Sequence, residues 1–267
     1  MDKVKYIIAV ASGKGGVGKS TTAVNIALAL KARGQTVGLL DADIYGPSQQ
    51  LMLGIPESQR PEQRNNMLVP VPAHGLATMS MGYLVTERTP MVWRGPMAGG
   101  ALQQMLEQTD WGELDVLVID MPPGTGDIQL TLSQKAKLSG AVIVTTPQDI
   151  ALLDARKGIE MFAKVGVKVL GIVENMAVHV CSQCGHAEHI FGSAGGERIA
   201  AEYGVSLLGS LPLSLAVREQ TDAGRPTVVA APDSPEARAY MDIADGILAG
   251  LAGGEAPGTP EIVISDD

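Results

Sequence analysis

Gly13-Lys14-Gly15-Gly16-Val17-Gly18-Lys19-Ser20-Thr21 combines residue types that suit one task, the binding of a phosphate chain. Gly13, Gly18, Lys19 and Ser20 satisfy the G-x-x-x-x-G-K-[ST] spacing of a phosphate-binding loop. Glycines let the backbone turn tightly enough for successive N–H groups to face phosphate oxygens. Lys19 supplies a point charge for the outer phosphates and Ser20 a hydroxyl for Mg²⁺. A helix starting here adds its positive end. The flanks agree, with Tyr6–Ser12 reading as a buried strand and Thr21–Arg33 as a helix stopped by Gly34. A glycine-rich turn without a ligand would leave both flanks unexplained. The chain is expected to bind a nucleoside triphosphate.

Lys14, directly after the first glycine, adds a second lysine to the loop. Gly-Lys-Gly-Gly-Val-Gly-Lys-Ser-Thr resembles the deviant Walker A loop of the nitrogenase iron protein, MinD, ParA and the Mrp/ApbC iron–sulfur carriers. The resemblance implies that Lys14 reaches across a nucleotide-sandwich dimer to the partner's phosphates; a solvated surface lysine is the plain alternative. Asp120 ends the apolar run Asp115–Asp120, where a carboxylate is costly to bury unless a cation or donors compensate it. That position suits a Mg²⁺-holding aspartate. By resemblance, Met121–Asp127 is the second switch, with the Gly124 N–H sensing the γ-phosphate, and Asp41-Ala42-Asp43 is the first. Asp43 is assigned to the attacking water or the Mg²⁺ shell, with Asp41 in support or merely forming a turn. Asn175 matches the family's adenine-reading asparagine, its amide able to donate and accept on a base edge. Pro212 packs on the base or is simply a loop proline.

Cys181-Ser-Gln-Cys184-Gly185 contains both cysteines of the chain. A lone C-x-x-C is compatible with a redox pair, a zinc half-site or a cluster half-site. A thioredoxin-like pair would open a helix after a strand near the N-terminus, whereas here Gly185 and His186 follow in a loop. Zinc would recruit two of His179, His186 and His189. A [4Fe–4S] cluster usually takes four thiolates, of which one chain offers two and a two-fold dimer four.

These groups need a scaffold that gathers loop ends. Gln35–Asp41, Leu76–Met81, Asp115–Asp120, Gly140–Thr146, Val167–Val173 and Ser206–Leu211 read as further strands. Met97–Gln108, a helix capped by Asp149 and running to Ala163, Ser193–Tyr203 and Ser234–Leu251 read as helices. The proline-bearing segment 54–75 reads as an irregular loop. This alternation predicts an α/β fold: one P-loop NTPase domain over 1–251 with a doubly wound, mostly parallel sheet, helices on both faces and a C-x-x-C insertion near 177–192. Ligands then collect at the carboxyl ends of the strands, where the loop, Asp41/Asp43, Asp120–Gly124 and Asn175 all fall. Residues 252–267, Gly/Pro-rich and acidic, read as a disordered tail.

Composition suits that fold. Apolar residues make up 45% and aromatics 3%, so the core is built from aliphatic side chains, as in parallel strands covered on both faces. A net charge of −9 argues against nucleic acid or an anionic membrane as the main partner. No apolar run approaches the ~20 residues of a membrane span. The signal-like N-terminus is needed as the first strand, so a cytoplasmic protein without a structural disulfide is expected.

In order and wording, the phosphate loop, Asp41–Ser48, Asp120–Asp127, Thr146–Asp149, Glu174–Met176, Cys181/Cys184 and His189–Gly192 are similar to the Mrp/ApbC family. The resemblance implies a homodimeric ATPase holding a labile [4Fe–4S] cluster at its interface. It would receive the cluster from an assembly scaffold and pass it to apo iron–sulfur proteins. Many relatives carry an extra N-terminal domain, and eukaryotic ones a four-cysteine motif; this sequence opens at the first strand, so no role of those regions is carried over. The alternative is a zinc-bound MinD/ParA-like regulatory or positioning ATPase. However, the last helix has no basic face for a membrane, and the acidic balance disfavours a DNA stripe.

Overall fold

The computed structural model describes residues 3–84 and 95–253. The strands are β1 (Val4–Ala11), β2 (Val37–Asp41), β3 (Gln63–Arg64), β4 (Met67–Leu68), β5 (Val71–Ala73), β6 (Leu76–Ser80), β7 (Leu114–Asp120), β8 (Gly140–Thr145), β9 (Val169–Glu174), β10 (His179–Val180), β11 (Ala187–Glu188) and β12 (Leu207–Ser210). The helices are α1 (Lys19–Ala32), α2 (Gln49–Met52), α3 (Gly95–Glu107), α4 (Asp127–Lys135), α5 (Asp149–Lys164), α6 (Gly195–Tyr203), α7 (Leu215–Asp222), α8 (Thr227–Ala230) and α9 (Pro235–Ala252).

Continuous apolar runs have no face to offer water, and the chain hides them between helices. Eight strands form one sheet in the order β12-β9-β8-β1-β7-β2-β6-β5. All neighbours are parallel except β5 and β6. From β1 the chain crosses to β2 through α1; from β7 it steps the other way to β8, β9 and β12 through α4, α5 and α6. Right-handed crossovers in opposite directions place α1 on one face and α4–α6 on the other. Helix α9 returns to pack on α1. This is the expected doubly wound α/β architecture.

Register places the chemistry. Asp120 lies level with Val10 of β1 and with Asp41 of β2, and Asp41 lies level with Ser80 of β6. Farther along, Thr145 pairs with Glu174. The loops after β1, β2, β7 and β9 therefore leave the sheet at one edge.

Three local expectations change. Segment 54–75 is not wholly irregular: β3 and β4 form a hairpin across Asn65 and Asn66, both left-handed (φ 52 and 63), and β5 adds an antiparallel edge strand. Asparagine tolerates that region, which a tight hairpin turn requires, and the exposed Pro72 is acceptable on an edge. Asp149 is not the cap of α5 but its first helical residue, with Gln148 at the cap position and no side-chain cap bond. Helices α4 and α7 went unread because each carries many polar residues and few buried ones. Helix α9 continues to Ala252, and the expected tail from 254 onward lies outside the described residues.

Fully buried Ile8, on central strand β1 opposite Val118 and Gly140, tests how far the loop depends on this core. Ile8→Ala is expected to lower unfolding free energy by about 2–5 kcal/mol in urea titrations.

Candidate functional site

Helix α1 starts with the phosphate loop. Gly16 and Gly18 take left-handed backbone (φ 83 and 81). Gly18 occupies the N-cap position, no side chain caps the helix, and no acid lies in its first turn. The first N–H groups and the positive helix end are thus left for an anion. Val17 anchors the loop by burying its side chain, while Gly15 and Gly16 stay exposed at the rim. Gly13 sits so close to α5 that an added Cβ would lie 2.1 Å from the Asp154 carbonyl oxygen. A cleft of about 230 Å³ opens over the loop, lined by Lys14, Lys19, Ser20, Thr21, Asp43 and Ser48 among others. Lys14 is half-buried at its rim, and no carboxylate among the described residues pairs with it.

A buried charge cluster lies beneath this cleft. Lys19 Nζ is 2.5 Å from Asp120 Oδ1, 3.8 Å from Asp43 Oδ2 and 3.1 Å from Ser20 Oγ. Asp41 Oδ2 accepts the Ser48 and Gln49 N–H groups and the Ser80 hydroxyl, and Oδ1 accepts the Asp43 N–H. Burial, and then repulsion from Asp120, outweigh these donors and push the Asp41 carboxyl up to about 7. Burial also raises Asp43, with Lys19 opposing it and Asp120 reinforcing it. Asp41 therefore shapes the loop and Asp43 faces the cleft. Ser20, Asp43 and Asp120 form an all-oxygen donor set, and Ser48 Oγ is buried without a partner in the same cleft wall. Hard oxygen donors with surplus negative charge fit Mg²⁺.

The other expected contacts lie around the loop. The Gly124 N–H donates to the Ser12 carbonyl at 2.9 Å, so in this structure it is engaged rather than facing the cleft. Asn175 follows β9 and donates its amide to the Val17 carbonyl at 2.8 Å, directly beneath Gly18. Pro212 follows Leu211, whose N–H binds the Glu174 carbonyl and whose carbonyl accepts the Ala177 N–H. Asn175 and Pro212 thus stand side by side next to the loop.

The cysteines are elsewhere, at the tip of the β10–β11 hairpin. The Cys181 N–H binds the His186 carbonyl, and the Gly185 N–H, in a left-handed residue, binds the Cys181 carbonyl. Cys181 is half-buried, Cys184 exposed, and both are free thiols. The Cys184 and Gln183 N–H groups and the Cys184 thiol hold Cys181 below the ordinary thiol range. The histidines do not join them: His189 Nδ1 contacts the Ala177 carbonyl at 2.7 Å and His179 Nδ1 the Leu213 carbonyl at 3.2 Å. Among the described residues, no three His, Cys, Asp or Glu side chains converge on a metal position.

Sequence reasoning missed Gln49 and Ser80. Gln49 Nε2 donates to Asp120 Oδ2 at 2.8 Å and to the Ser20 carbonyl at 3.0 Å. Neither residue carries a motif signal; each reaches the site through strand register and a short helix.

A family model described as "ParA: NUBPL iron-transfer P-loop NTPase" matches residues 3–248. An iron–sulfur cluster carrier protein from Pseudomonas fragi is 64% identical over 242 residues, 90% of this chain and 84% of that one. Its namesake from Escherichia coli K12 is 61% identical over 249 residues, covering 93% of this chain and 67% of the relative. A nucleotide-binding protein from Archaeoglobus fulgidus, solved in complex with ADP, superposes with a TM-score of 0.78 at 37% identity, covering 90% of this chain and 93% of that one.

Two outcomes test the site. Gly13→Ala must displace backbone and is expected to lower ligand-free stability by about 1–3 kcal/mol. Gly15→Ala meets nothing within 4 Å and is expected to leave the ligand-free melting temperature unchanged. Because the raised Asp41 keeps its proton in the folded state, its contribution to stability is full below 3.8 and is lost as pH rises through about 7. In EDTA, Asp41→Asn is expected to flatten the fall in melting temperature across that interval.

Proposed function

The chain belongs to the NUBPL iron-transfer family of P-loop NTPases, and on that premise we propose that it is an ATP-hydrolysing iron–sulfur cluster carrier. Two copies would hold a [4Fe–4S] cluster as cargo, receive it from an assembly scaffold and hand it to apo iron–sulfur proteins, with a cytoplasmic location. The observation that carries this reading is the hairpin with two accessible thiols and no third ligand beside them among the described residues. Half a ligand set on an exposed tip fits a site completed by a symmetric partner, and exposure fits a cargo that must leave. No observation favours the intrachain zinc alternative, since among the described residues no His179, His186 or His189 side chain converges with both thiols on one metal position.

The chain's own residues divide the hydrolytic work. Lys19 leaves Asp120 to meet the outer phosphates, and the uncapped start of α1 receives the phosphate chain. Ser20, Asp43 and Asp120 would hold Mg²⁺, which would supply positive charge to the phosphoryl oxygens when bound. Asp43 orients water for attack on the γ-phosphorus as the bond to the ADP oxygen breaks. Gly124 must release Ser12 before its N–H reaches that phosphate, which would make the second switch sensitive to the bound nucleotide. Asn175 and Pro212 border the base, and Lys14 extends to the phosphates of the opposing copy. Asn175 also donates to the Val17 carbonyl of the phosphate loop and lies four residues before the cysteine hairpin opens at His179, so one hydrogen bond and a short chain segment join the two ends.

Anaerobic reconstitution with iron and sulfide tests this reading. A brown protein with ~4 Fe per dimer that activates an apo-enzyme is expected; a colourless protein retaining tightly bound zinc would refute it. Cys184→Ala is expected to abolish cluster binding while ATP binding survives. Lys19→Ala is expected to do the reverse, losing nucleotide-dependent function but still assembling the cluster.

A further inference from the structure

Gln49 opens α2 and is 1% exposed. Both hydrogens of its amide are used, one on Asp120 Oδ2 and one on the Ser20 carbonyl. Its backbone N–H donates to Asp41 Oδ2 at 3.1 Å. One residue therefore touches the first turn of α1, the end of β7 and the end of β2. Its Oε1 is buried without a hydrogen-bond partner. An unpaired buried oxygen opposes folding, so packing alone does not account for an amide where a leucine would fill the space.

The two oxygens of Asp120 have different partners. Oδ1 is held by Lys19, which the proposed hydrolysis draws away to the phosphates. Oδ2 is held by Gln49, which has no such second duty. We infer that Gln49 is a positioning residue for phosphoryl transfer: it keeps the Asp120 carboxylate oriented while Lys19 moves to the nucleotide, and it joins that carboxylate to the Asp41 loop. Residues that orient metal-binding carboxylates in this way commonly contribute 10–100-fold to metal affinity or activity. The inference rests on the hydrolytic reading given above.

Gln49→Leu keeps the volume and removes the donors. The Mg²⁺ concentration that half-saturates binding of a fluorescent ATP analogue is expected to rise about tenfold or more, and kcat to fall by a similar factor. Binding of ADP without Mg²⁺ is expected to stay within about threefold, as it does not depend on the orientation of Asp120. Gln49→Met, unbranched like the native side chain and also without donors, is expected to show the same split, with weaker Mg²⁺-dependent binding and unchanged Mg²⁺-free ADP binding. A Gln49→Leu or Gln49→Met protein with unchanged Mg²⁺ half-saturation and kcat would overturn the inference, as would one whose Mg²⁺-free ADP binding falls as far as its Mg²⁺-dependent binding. If Gln49→Leu fails to fold, Gln49→Met decides. If the unaltered protein binds ATP without hydrolysing it, the hydrolytic reading fails, and the Mg²⁺ half-saturation of the two variants still judges Gln49.

Discussion

A single lysine facing three buried carboxylates is the constraint around which the nucleotide site is arranged. Lys19 neutralises one charge of Asp41, Asp43 and Asp120, and the interior tolerates the remainder only through donors or protonation. The fold supplies both. The loop after β2 wraps its N–H groups around Asp41, Ser80 adds a hydroxyl, and Asp41 holds its proton more tightly than an exposed aspartate would. The ligand-free site is left with an excess of negative charge beside a single lysine.

Strand register creates this cluster and could not easily be relaxed. Asp41 and Asp120 end neighbouring strands at the same level, with the phosphate loop leaving the next strand over. Slipping one pair would move a carboxylate away from Lys19 and turn a strand's apolar side chains out of their layer. The same core that stabilises the sheet therefore sets distances in the site. Beyond β9 the constraint weakens. Asn175 ties the chain to the loop, and then a short hairpin carries the thiols out to solvent. The phosphate loop is thus tied into the sheet, while the cysteine pair stands at the tip of a two-stranded hairpin outside it.

Much of this was legible in the residues. The phosphate loop, the apolar run into Asp120, the Asp41/Asp43 pair and the cysteine spacing are local patterns, and local patterns survive in a sequence. The β3–β4 hairpin was not legible, because two left-handed asparagines look like any polar turn until the strands beside them pair. Nor was the start of α5, where Asp149 fits a cap by residue type while the backbone gives that position to Gln148.

Gln49 marks the division most clearly. It directly follows the Asp41–Ser48 run, but its own residue type does not distinguish it from a surface glutamine, and the fold buries it against Asp120, 71 residues away in the chain. The sequence by itself determined the α/β class, the nucleotide loop and the types of ligand the chain can offer, because each depends on residues close together in the chain. Only the tertiary structure decided that Asp41 is wrapped by donors while Asp43 faces the cleft, that among the described residues no third ligating side chain converges with the cysteines, and that an amide holds Asp120. Those outcomes depend on distances between segments remote in sequence, which are set by sheet register and by the competition of buried polar groups for partners.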